Sequence, residues 1–131
     1  MIFRLLGGAL AALALTTSPA MAGPYGCTQP GATTPADATG QWRVRGRDDG
    51  GDYDAWADIA PIVLAADGTF SEVGFEDGAA VGRWCVRGNV LLWGFDSSPK
   101  TTYRVILDGQ PVMRGTLSFD GGGTGETEIR R

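Results

Sequence analysis

The densest run of chemically capable side chains is acidic. Asp48, Asp49, Asp52, Asp54 and Asp58 all fall within RDDGGDYDAWAD, residues 47–58. Hard cations such as calcium need several oxygen ligands converging from one loop. The spacing here is not the D-x-D-x-D-G loop, and no glutamate stands at its twelfth position. DGGGTGETE near the C-terminus is no better, because the acidic position of a G-G-x-G-x-D repeat falls on Thr127. The acidic run reads as a solvated loop, and no metal site is expected.

Just upstream, Arg43, Arg45 and Arg47 alternate with Trp42, Val44 and Gly46. On a strand the three arginines share one face. Such a stripe either grips a carboxylate or phosphate bidentately or pairs across the sheet with acids on neighbouring strands. The nearest carboxylate pairs are Glu72 with Glu76 and Glu126 with Glu128. Glycosidase chemistry would need one member of a pair buried with a raised pKa, and nothing in their flanks suggests that burial.

The chain contains no histidine. This removes the commonest general base and the commonest metal ligand together. Ser-His-Asp and Cys-His catalysis within one chain are excluded, as are histidine-containing zinc sites. No catalytic residue and no cofactor is assigned, and an enzyme is not expected. Cys27 and Cys85 are the two cysteines. In an exported protein they most simply form one disulfide; two free thiols or an intermolecular pair are the alternatives. A loop of this length predicts ~4 kcal/mol of stabilisation in the chain-entropy model.

Export is the reading of the N-terminus. Arg4 precedes the apolar run LLGGALAALAL, and Ala20-Met21-Ala22 is an A-x-A cleavage pattern before Gly23. This predicts a signal peptide over residues 1–22 and a periplasmic or secreted product. The apolar run is shorter than the roughly 20 residues a spanning helix needs, so no membrane span is expected after removal. The whole chain is 131 residues at a net charge of −4; losing residues 1–22, which hold Arg4 and no acid, leaves 109 residues at −5. An acidic chain with one lysine and no basic block is a poor nucleic-acid binder. The remaining length fits one domain.

The elements that must position these residues are short strands. Residues 23–39 are rich in Pro, Gly, Thr and Ala without periodicity and read as an irregular N-terminal arm. From Gly40, apolar segments alternate with turn pairs: Asp67-Gly68, Asp77-Gly78, Gly88-Asn89 and Asp108-Gly109. IAPIVLA (59–65), TFSEVGF (69–75), AAVGRWCVR (79–87), VLLWGF (90–95) and TYRVIL (102–107) are strand candidates. Pro61 marks an edge or strand start, and Gly74 suggests a bulge. Pro111–Met113 and Gly115–Phe119 read as one bent strand or two. No convincing helical periodicity lies outside the signal. The fold class is therefore all-β: an antiparallel up-and-down meander over residues 40–131, closing as a barrel of about seven to nine strands. Its aromatics either fill a core or, in a barrel open at one end, line a ligand cavity. Trp42, Phe70, Trp84 and Trp93 are the candidate lining residues.

Gly40-Gln41-Trp42 places a G-x-W on the first strand, and the hairpin series with its DGTF…GRWCVRGN rhythm ends in Ile129-Arg130-Arg131. This pattern resembles the calycin group of barrels: lipocalins, avidins and the small bacterial metalloprotease inhibitors. The resemblance implies barrel closure by an arginine of the last strand packed over the first-strand tryptophan, here Trp42 with Arg130 (or Arg131). A planar cation over an indole face is favourable on its own account. The function implied is non-enzymatic binding of a small apolar ligand or of an envelope partner. The alternative is inhibition of a periplasmic protease, the arm Gly23–Ala38 entering its cleft.

Overall fold

The computed structural model describes residues 25–48, 50–97, 101–119 and 121–131. The expected signal segment, the first two residues of the arm and Asp49 lie outside these. Eight antiparallel strands form a closed barrel in sequence order: β1 (Gly40–Asp48), β2 (Ile62–Leu64), β3 (Thr69–Glu72), β4 (Ala80–Arg87), β5 (Val90–Phe95), β6 (Thr101–Ile106), β7 (Met113–Phe119) and β8 (Thr124–Arg130). The last strand returns to pair with the first, from Arg43↔Arg130 to Asp48↔Gly125. β1 divides its partners, with Gly40, Gln41 and Trp42 on β2 and the residues from Arg43 onward on β8. That stagger is what strand tilt in a closed barrel requires, and closure leaves no free sheet edge.

The turn pairs work through identifiable bonds. In the β2–β3 turn the Asp67 carboxylate accepts from the Thr69 backbone N–H at 3.0 Å and from its hydroxyl at 2.7 Å, while Gly68 takes φ +90°. An aspartate bonding two residues ahead stabilises the turn, and a side chain is disfavoured at that φ. These hydrogen bonds hold the Asp67 carboxyl below the usual aspartate range.

Three details differ from expectation. The segment 59–65 yields a strand only from Ile62, because Pro61 has no N–H to donate and instead offers its carbonyl to Val73 N–H at 2.9 Å. β3 ends at Glu72, and Gly74 lies in a turn at φ +83° rather than in a bulge. The irregularity is on β4: Phe70 pairs Gly82 and Ser71 pairs Ala80, which leaves Val81 as the extra residue. Residues Met113–Phe119 form one continuous strand.

Period-2 alternation points Trp42, Ile62, Leu64, Phe70, Trp84, Val86, Leu91, Trp93, Val105, Met113 and Ile129 into one buried cluster. Trp93 stacks on Tyr103 with centroids 4.7 Å apart, and Phe95 meets Phe70 edge-on at 5.2 Å. Each large side chain buried this way contributes ~1.5–3 kcal/mol. Two of the indole N–H groups are satisfied by backbone carbonyls: Trp42 Nε1 donates to that of Ala38 at 2.9 Å and Trp84 Nε1 to that of Ala65 at 2.8 Å.

The arm is not free. Cys27 and Cys85 are disulfide-bonded, with Cα atoms 5.5 Å apart. Thr33 and Val86 exchange backbone hydrogen bonds at 2.9 and 2.7 Å, and the Thr34 hydroxyl donates to the Ala66 carbonyl at 3.3 Å. Ala38 is buried under the barrel's end. A disulfide-bonded pair points to an oxidising, exported compartment. No described helix is long and apolar enough to cross a membrane.

Candidate functional site

The two ends of the barrel differ. At the end where β1 begins, the arm acts as a plug. Arg131 lies over the Trp42 ring at 3.8 Å and donates to the carbonyls of Thr39 at 2.9 Å and Asp37 at 2.6 Å. Arg130, the first choice for this closing contact, lies instead over Trp56 at 4.7 Å. Strand parity is the reason. Ile129 points into the core, so Arg130 points outward, and only the residue beyond the strand's end can turn under the barrel.

The opposite end is formed by the ends of β1, β3, β5 and β7. Val44, Val81, Phe95 and Tyr103 are half-buried there against the core. Phe75 and Val73, in the β3–β4 connection, and Phe119, at the end of β7, are 47%, 42% and 38% exposed. Phe119 has the inward parity of Leu117, so it stands at the mouth. The inner parity of Phe70 likewise brings Glu72 to this end. Burial, helped by the Glu72 charge, pushes the Tyr103 phenol above the usual tyrosine range. Exposed Phe75, Val73 and Phe119 therefore lie at the end of the barrel opposite the plug, with the Glu72 carboxylate and the stacked rings of Trp93 and Tyr103. Sequence reading counted Phe75, Phe95, Tyr103 and Phe119 among the aromatics that fill a core or line a cavity without singling them out, and it passed over Val73; their positions at strand ends on one side of the meander were the available signal.

The four candidate lining residues are buried. Phe70, Trp84 and Trp93 are each 1% exposed and Trp42 5%. Phe70, Trp84 and Trp93 are thus packed in the core, and Trp84 also borders a groove of about 190 Å³ beside the arm, with Cys27, Thr34, Asp67 and Arg83. Trp42 borders a groove of about 440 Å³ on the outside of the plugged end, with Met113, Pro111 and Arg131.

The arginine stripe is on the outer wall and paired across the sheet. Arg45 donates to Glu128 from Nε at 3.0 Å and Nη2 at 2.8 Å, and Arg114 reaches the other carboxylate oxygen at 2.7 Å. Arg47 donates to Glu126 from Nε at 2.8 Å. The acidic loop then folds back over the stripe. The Arg45 guanidinium lies 4.1 Å from the Trp56 ring and 4.8 Å from that of Tyr53, and Arg47 lies over Tyr53 at 4.5 Å. Arg43 donates to the carbonyl of Ile59 and Arg45 to that of Asp54 at 3.0 Å. Burial raises the Glu128 pKa, but the bonds from Arg114 and Arg45 outweigh it and hold the carboxyl below the usual range. That is the opposite of what a general acid needs. Among the described residues no three acidic or thiol side chains converge on a point that could hold a metal.

No family model, curated protein or solved structure matches this chain.

Proposed function

We propose that the protein is an exported, non-enzymatic barrel of calycin type that binds a small apolar molecule at its open end. The asymmetry of the two ends carries this reading. One end is closed by Ala38, Trp42 and Arg131, while the other presents Phe75 and Phe119 around half-buried Phe95 and Tyr103. Exposed large apolar groups clustered at one place mark a binding surface, and the filled interior limits the ligand to a small one seated near the rim. The signal-like N-terminus and the disulfide support export. The bonds along residues 27–38 support a scaffold role for the arm in preference to insertion into a protease cleft.

The neutral dye N-phenyl-1-naphthylamine tests this reading. Saturable dye fluorescence excited through the tryptophans is expected, weakened about tenfold, or ~1.4 kcal/mol, in a Phe75→Ser/Phe119→Ser variant. Absence of saturable binding, or equal binding by the variant, overturns the proposal.

A further inference from the structure

Most of the described guanidiniums are already committed. Arg45 and Arg114 hold Glu128, Arg47 holds Glu126, Arg130 covers Trp56 and Arg131 covers Trp42. Two others face a different part of the surface. Arg87, at the end of β4, and Arg104, in β6, line a groove of about 460 Å³ between the N-terminal arm and the wall. Neither forms an ion pair with a described residue. Among the described residues Arg87 donates from Nη2 to the Pro30 carbonyl at 3.1 Å. Arg104 has Leu92 beside it on β5 and Thr116 on β7, so no acid stands opposite.

The rest of the groove is neutral. Thr102 and Ser118, cross-strand partners on β6 and β7, supply hydroxyls, and Gln29 supplies an amide from the arm. Val90 and Leu92 make an apolar floor. The disulfide at Cys27 holds the arm as the groove's second bank. At Gly26 the arm lies close against this floor: a Cβ there would stand 2.3 Å from Leu92 Cδ1.

We propose that this groove binds a small molecule bearing a carboxylate or phosphate group. Two guanidiniums without an ion-pair partner among the described residues suit an oxyanion's paired acceptors, hydroxyl and amide donors complete its shell, and the volume falls in the usual ~300–1,000 Å³ of small-ligand sites. The chain as a whole is acidic, so attraction of an anion here is local to Arg87 and Arg104. The site is separate from the apolar rim and does not depend on it.

Amide NMR titrations with inorganic phosphate and with hexanoate, at constant ionic strength, test the assignment. Saturable shifts at Gln29, Val90, Thr102 and Arg104 are expected with at least one probe. Tighter hexanoate binding assigns an apolar carboxylate over the Val90–Leu92 floor; tighter phosphate binding assigns a phosphate ligand. An Arg87→Gln/Arg104→Gln variant is expected to lose at least about tenfold in affinity, and Arg47→Gln, on the other wall, to lose none. Absence of saturable shifts with both probes, unchanged affinity in the double variant, or an equal loss in Arg47→Gln overturns the proposal.

Discussion

Glu128 sits at 5% exposure between two guanidiniums on the outer wall, with Arg45 on one oxygen and Arg114 on the other. The two bonds are unequal in worth. The Arg114 side chain is 77% exposed, and solvent screens an ion pair with so exposed a partner. Arg45 is sandwiched by Trp56, Tyr53 and the strand, where a charge-assisted pair counts for more. Removing the carboxylate leaves the buried side of Arg45 unpaired, so Glu128→Ala should cost ~2–4 kcal/mol in urea unfolding, while Arg114→Ala should leave the urea midpoint close to that of wild type. The pH dependence has a definite sign. A carboxyl held low in the folded state contributes fully above its unfolded value of ~4.3 and loses that contribution as pH falls through the lower folded value. The stability gap between wild type and Glu128→Ala should therefore narrow on acidification; a gap constant from neutral to strongly acid pH contradicts the assignment.

At the scale of strands, backbone approach decides as much as side chains do. β6 and β7 come so close at Gly115 that a Cβ there would lie 1.7 Å from the Arg104 carbonyl oxygen. A collision with backbone is not relieved by a rotamer change, so Gly115→Ala must shift a strand. The expected cost is at least ~2 kcal/mol by urea denaturation, more than a surface substitution allows; a loss within ~0.5 kcal/mol would show that the ladder yields there. The loop from β1 to β2 is the other element with a structural task. Its Tyr53 and Trp56 rings lie over the arginines of β1 and β8 and cover the seam where the barrel closes. The acidic loop read as solvated instead meets the arginines through aromatic faces and backbone carbonyls.

Over the whole molecule the disulfide joins residues 58 apart in sequence and secures the arm that plugs one end. A Cys27→Ala/Cys85→Ala variant should unfold with ~4 kcal/mol less stability in the loop-entropy model. Oxidised wild type should show no alkylatable thiol. An unchanged urea midpoint would mean that the arm's hydrogen bonds and the burial of Ala38 hold it unaided. The same variant should weaken oxyanion binding in the Arg87–Arg104 groove, whose second bank is the arm, while the apolar rim at the far end keeps its dye affinity.

Much of this molecule was legible in its residues. Turn chemistry at Asp67-Gly68, Gly88-Asn89 and Asp108-Gly109, with period-2 patterning between, determined an antiparallel meander, and local rules suffice because each hairpin is a local object. The oxidised cysteine pair was likewise the simplest use of two cysteines, and cross-strand pairing of the arginine stripe was one of its two stated readings. Barrel closure settled the rest, since the register of β8 on β1 is a contact between chain ends. It sent Arg130 outward to Trp56 and Arg131 under Trp42, and it set Glu126 and Glu128 opposite Arg47 and Arg45. It also buried Phe70, Trp84 and Trp93 while leaving Phe75 and Phe119 at the mouth. Composition cannot distinguish a filled barrel from a hollow one, because the same aromatic residues serve both; the radius at closure and the side each strand presents decide it.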